Sequence, residues 1–256
     1  MLKRLGQFYI GALLVFLYAP IVVMAVFSFN ASQFYVLPVE WSSTWYTALW
    51  QNERLIDASI NSLLVALITT VIAGTLGTLA AIGLHRHNFR GKAVLQALLL
   101  PPIAIPWLIT GTAMLVFFFW SGIGRGLHAM VLGHVALALP YVVIVVSARL
   151  RGFNPELEEA ARTLGASPFQ ILRRVTLPYL APAIVAAALF AFAVSFDQFV
   201  ISYFLAVPGV STLPVEIYSA IRKGFTPEIN AISTIVIVLS MTLLLLSTLL
   251  IRPDKR

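Results

Sequence analysis

The chain has 256 residues, 60% of them hydrophobic and 11% charged, with a mean hydropathy of +0.93. Ordinary soluble domains carry about 25% charged residues, and a soluble fold of this length has no interior large enough for so much apolar surface. The class is integral membrane protein, so the net charge of +7 is read as membrane topology, and no nucleic-acid partner is expected.

The first predicted element is the apolar run 8–29, behind Lys3 and Arg4. It is too long for a signal-peptide core and no clear small-residue cleavage site follows, so it is read as a retained anchor. The next segment carries Trp41, Trp45, Tyr46 and Trp50. Such aromatics either anchor a protein at the membrane interface or hold amine cations against their ring faces; the anchor reading is preferred. Apolar runs at 58–84, 93–120 and 127–148 follow, each long enough to cross about 30 Å of hydrocarbon as a helix. They are continuous rather than alternating, which argues against barrel strands. Run 93–120 holds Pro101, Pro102 and Pro106, which predicts a kink or break. "GIGRG" at 122–126 reads as a tight external turn. Run 179–207 would measure about 43 Å as one helix, so it must tilt, break or protrude. The outer segment "STLPVEIYSAIRKGFTPEI" is either a surface helix that meets another protein or a lid on the bundle. The sixth run is 230–251.

Six runs predict an all-α membrane bundle forming a single domain over 1–256. With the N-terminus in the cytoplasm, only Arg54, Arg125, Arg222 and Lys223 of the 17 basic residues fall outside. That asymmetry places both termini in the cytoplasm.

The longest inner loop, about 149–178, contains "EEAARTLGAS" at 158–167. Asn154 can cap a helix with Pro155 in its first position and Glu156, Glu158 and Glu159 near its positive end. Gly165 can end that helix in the left-handed conformation. Ser167 then caps a second helix, Pro168 opens it, and Gln170 closes a capping box. This second helix is expected to run to Pro178, where the next span starts. The product is a rigid helix–glycine–helix elbow, with Ala160 and Ala161 giving a small-residue surface.

"EAARTLGASPFQILRRVTLP" resembles the motif E-A-A-x3-G-x9-I-x-L-P of permease subunits in ATP-binding-cassette importers. Glu159, Ala160, Ala161, Gly165, Leu177 and Pro178 match it, while Val175 stands where isoleucine is usual. The resemblance implies a type I importer permease fold: six transmembrane helices and a cytoplasmic coupling helix seated in a separate ATPase. It implies a second permease, two ATP-binding subunits that hold ATP and Mg, and an extracytoplasmic solute-binding protein. It also implies a bacterial inner-membrane location and no cofactor in this chain. "HRHNFRGK", "LRGF" and "SFDQFVISYF" are most similar to the spermidine/putrescine-type subfamily, especially its second permease. Opine, amino-acid-derivative and ferric-ion permeases share parts of the same pattern.

Asp197 is the one acidic residue placed inside a predicted span, about 28 Å beyond Pro178 as a helix. A carboxylate in hydrocarbon is costly unless paired or wetted, and so is a functional candidate. It either contacts a cationic solute or caps a helix break; Tyr203, in the same segment, is assigned to the pathway with it. Polyamine relatives often carry a second acid after this aspartate. Here it is Gln198, which favours a monocation or zwitterion over a multiply charged amine.

An enzyme is not expected. There is no G-x-x-x-x-G-K-[ST] loop for ATP, no HExxH, and no serine beside a credible base. His85, His87, His128 and His134 lack metal-ligand spacing and there is no cysteine. Asp197 with His134 on another span is a thin basis for an intramembrane enzyme. A passive membrane anchor explains the runs but not the elbow.

Overall fold

The computed structural model describes residues 2–33, 36–99, 101–224 and 227–250. Arg252, Lys255 and Arg256 of the predicted inner rim, residue 251 of the sixth run, and Phe225 and Thr226 of the last outer segment lie outside them. Among the described residues the regular elements are all helical, and strand-like pairing is limited to two isolated bridges, Asn30–Trp41 and Val207–Val210.

Helix α1 spans Leu2–Phe27, α2 Thr44–Leu49 and α3 Glu53–Arg86. Helix α3 extends the predicted run at both ends because its termini suit the helix dipole, with Glu53 in the first turn and His85 and Arg86 in the last. The third run is broken, as its prolines predict, into α4 (Lys92–Leu98), α5 (Pro101–Ala104) and α6 (Trp107–Trp120). Pro106 sits extended at φ −54°, ψ 132° between α5 and α6. Helix α7 covers Leu127–Leu150. The elbow holds α8 (Glu156–Thr163) and α9 (Pro168–Ile171), followed by a π-helical turn at Leu172–Thr176 and then α10 (Leu177–Phe196). Helices α11 (Val200–Leu205), α12 (Leu213–Lys223) and α13 (Glu228–Leu250) complete the chain.

One difference from expectation has a local cause. Pro178 does not separate the elbow from the span: the path from Pro168 to Phe196 is one helical stretch of 29 residues. Pro178 lacks an N–H and its ring crowds the carbonyl four residues earlier. The wider turn just before it, ending at Thr176, absorbs that defect without stopping the helix. The break comes later, at 197–199, between α10 and α11. By length and composition, four described helices can cross a membrane, and a fifth is added if the bent pair 92–104 and 107–120 counts as one span. The part of α13 from Glu228 to Thr242 counts as a shorter apolar helix.

Contacts divide the chain into two compact units, residues 1–56 with 216–256 and residues 57–215. In the first, α13 packs against both α1 and α2. In the second, α7 is the hub. Of the 18-residue apolar window of α7, 61% is buried, against 17% for the stretch 168–196. One core joins α3, α7 and α10 through small residues, among them Ala73, Ala81, Ala138, Ala187 and Ala191, with Val142 and Leu180. The other gathers Val65, Phe118, Met130, Leu137, Ile201 and Leu205 around α7 and α11. Between membrane helices close approach replaces the hydrophobic effect, so small residues decide who can pack. A Cβ on Gly77 would lie 2.7 Å from Val142; one on Gly133 would lie 2.8 Å from Ile201.

Candidate functional site

The elbow is stiff because both of its corners are closed by hydrogen bonds. Asn154 Oδ1 accepts from the Glu156 N–H at 3.0 Å, so the first helix is capped as its sequence predicts. At the other end Gly165 adopts φ +82°. Its N–H donates to the Arg162 carbonyl at 2.9 Å, and the Ala166 N–H donates to the Ala161 carbonyl at 3.0 Å. That pair of bonds is the Schellman arrangement, and a side chain at Gly165 costs about 1–2 kcal/mol in this conformation. The capping box is formed in both directions. Gln170 N–H donates to Ser167 Oγ at 3.3 Å, and Ser167 N–H donates to Gln170 Oε1 at 2.8 Å.

Of the motif residues, Glu159, Ala160 and Gly165 are exposed, Ala161 is half-buried, and Pro178 lies inside the continued helix. Exposed beside them are large apolar side chains, Leu164 at 89% and Phe169 at 68%. They give the polar knob an exposed apolar patch.

The elbow is tied to the bundle by a polar knot that the motif does not reveal. The Glu158 carboxylate is ion-paired to the Arg86 guanidinium at the end of α3. Fully buried Thr176, in the π turn, donates to Glu158 Oε1 at 2.7 Å and accepts from Arg86 Nη2 at 2.7 Å. One carboxylate thus fastens α8 to two spans. Glu158 precedes the motif glutamate, and Thr176 falls at a variable motif position, so spacing carries no signal for either; their neighbours are 72 and 18 residues away in sequence.

The second region is the break in the fifth run. Asp197 is the C-cap of α10, just past its last residue, and its own N–H bonds the Ala193 carbonyl at 3.1 Å. Its side chain is exposed on this chain. Next to it Gln198 is buried at 2% and its Oε1 accepts from the Val200 N–H at 3.1 Å, which caps α11. Tyr203, 43% exposed, lies with its ring 5.4 Å from that of Phe199. Buried His134 of α7 bonds Ser195 Oγ at 2.8 Å through Nδ1 and Ser202 Oγ at 3.0 Å through Nε2. The elbow residues and Asp197 are therefore two separate places, not one site.

Trp45 and Tyr46 are fastened to the end of α1. Trp45 Nε1 donates to the Asn30 carbonyl at 2.6 Å, Tyr46 Oη is 2.7 Å from Ser28 Oγ, and the Tyr46 ring lies 4.8 Å from that of Phe29. Trp41 is 73% exposed. Among the described residues no three His, Cys, Asp or Glu converge as a metal-holding group.

Residues 73–252 match the family model described as binding-protein-dependent transport system inner membrane component. The chain is 37% identical over 247 residues to the spermidine/putrescine transport system permease protein PotC of Escherichia coli (strain K12), covering 96% of this chain and 93% of that protein. It is 38% identical over 230 residues to the putrescine transport system permease protein PotI of the same organism, covering 87% and 82%. Among solved structures, a chain of a bacterial ABC transporter involved in import of alginate superposes with a TM-score of 0.78 at 15% identity, covering 98% of this chain and 96% of that one.

Proposed function

The chain belongs to the family of binding-protein-dependent transport system inner membrane components, and from that premise we propose that its elbow receives the stroke of an ATPase while Asp197 meets an amine solute. It is a permease subunit of an ATP-driven importer and not itself an enzyme; ATP hydrolysis resides in separate subunits. The proposed solute is a polyamine or a related small amine. The 37% identity to a spermidine/putrescine permease over 96% of the chain supports that class. Gln198, where relatives often carry a second acid, favours the less highly charged members.

The observation that carries the lever is the doubly closed elbow with its exposed apolar face. Glu159, Ala160, Ala161 and Gly165 form the surface that enters an ATPase cleft, and Leu164 and Phe169 fill it. Glu158 transmits the displacement to α3 through Arg86 and to α10 through Thr176. The full transporter has a second permease, alike or different, two ATPases that hold ATP and Mg, and a loaded binding protein outside. Nucleotide and binding protein each favour one of two states, and transport follows from that differential binding. Six spans with both termini in the cytoplasm place the elbow on the ATPase side. Trp41, Trp45 and Tyr46 sit on the opposite side as interfacial anchors, and Tyr203 lines the pathway near Asp197.

The test is reconstitution of the complete complex in liposomes, with labelled putrescine presented by the binding protein. Uptake that depends on ATP and on the binding protein is expected. Ala161→Trp should abolish it with insertion intact, because the elbow can no longer be approached closely. Normal coupling in Ala161→Trp removes the lever assignment. A reporter after Lys92 should read cytoplasmic and one near Arg222 external; a cytoplasmic signal near Arg222 removes the six-span topology.

A further inference from the structure

We infer that His134 is a positioning residue: it clamps the break in the fifth span and so sets where Asp197 stands in the pathway. The inference rests on the proposed pathway role of Asp197 and on three observations.

The first is reach. Ser195 and Ser202 are seven residues apart, which on an unbroken helix means about 10.5 Å. One imidazole bonded on both nitrogens spans about 8 Å at full stretch, given ordinary hydrogen-bond lengths and ring size. His134 makes both bonds, at 2.8 and 3.0 Å, so one side chain of α7 ties together the two helices on either side of the break. Moving α10 away from α11 removes at least one bond.

The second is saturation. Neutral imidazole offers one donor and one acceptor, and a serine hydroxyl takes either part. Both serines are buried, Ser195 at 4% and Ser202 at 0%, with His134 itself at 2%. A polar group left unpaired in such a place costs about 1–3 kcal/mol, so the three side chains hold one another.

The third is placement. Asp197 lies between the two clamped serines, two residues after one and five before the other. Gln198 fastens the next turn from inside through Val200. Gly133, beside His134, lets α7 approach α11 closely, since a Cβ there would sit 2.8 Å from Ile201. The post that holds the break thus stands on the most deeply buried helix of its unit, and Asp197 is left as the exposed group at the bend.

The chain has no cysteine, so Asp197→Cys gives it a unique thiol. In the assembled complex, the reaction rate of that thiol with a small cationic methanethiosulfonate reports its place in the pathway. Against an Asp197→Cys background, His134→Leu should lower the rate at least fivefold, and His134→Gln, which can bond both serines, should bring it back within twofold. An unchanged rate in His134→Leu overturns the inference. So does a loss that His134→Gln fails to recover, since that is what a general packing defect gives. If His134→Leu does not accumulate, Ser195→Ala with Ser202→Ala cuts the same two bonds with little change of volume, and the same fivefold criterion applies. The readout needs no transported solute. Failure of the wild-type complex to take up putrescine would therefore remove the amine reading and leave the clamp to be judged on the thiol rate.

Discussion

The elbow at 154–170 and the break at 197–199 are both interruptions of helix, but they are built from different kinds of contact. The elbow's closing bonds all run between residues two to five positions apart. Its shape is a property of the local chain, and only its fastening through Glu158 is remote. The break is held by His134, 61 and 68 residues away from its two partners. Local closure suits a part that must keep its form while it is pushed. Remote closure suits a part whose form should depend on how neighbouring spans are packed.

The largest expected effect tests whether the elbow is the stiffer of the two. Gly165→Val places a β-branched residue at φ +82°, where even an unbranched side chain costs about 1–2 kcal/mol. Uptake should fall more than twentyfold while the protein still inserts and Asp197→Cys reacts at its normal rate. Slowed thiol reaction would mean that the two regions are not independent and would blur the comparison.

Next comes Asp197→Asn, which keeps shape and removes charge. If the bend presents a carboxylate to a cationic solute, uptake should drop about tenfold with ATPase activity retained. Normal transport of a cationic solute would leave the bend as scaffold only. A smaller effect is expected at Gly133→Ala. The added methyl meets Ile201 at 2.8 Å, and overpacking of this kind costs about 1–3 kcal/mol. The complex should melt several degrees lower, with the elbow's coupling of ATPase to uptake preserved.

The smallest effect sharpens the local side. Ser167→Ala removes one side-chain bond of the capping box and should cost about 0.5–2 kcal/mol of helix stability. Uptake should stay within twofold, because the Schellman corner still sets the angle. A larger loss would transfer the elbow's stiffness from Gly165 to the second cap.

Membrane class, helical spans, the break in the proline-bearing run 93–120 and the elbow with each of its caps were legible in the sequence, for one reason. Apolar length, proline and short-range caps act between neighbours in the chain, so residue type and spacing specify them. A sequence also shows that the 29-residue run 179–207 must tilt, break or protrude. It does not show that the run breaks at 197–199, nor that the elbow helix passes through Pro178 by way of a π turn. The position of the break, the knot of Glu158, Arg86 and Thr176, and the clamp of His134 on two serines were decided by tertiary structure. Each depends on which spans come into contact. In a bilayer that is settled by close approach at small residues such as Gly77 and Gly133 and by matching buried polar groups, neither of which leaves a periodic trace along the chain.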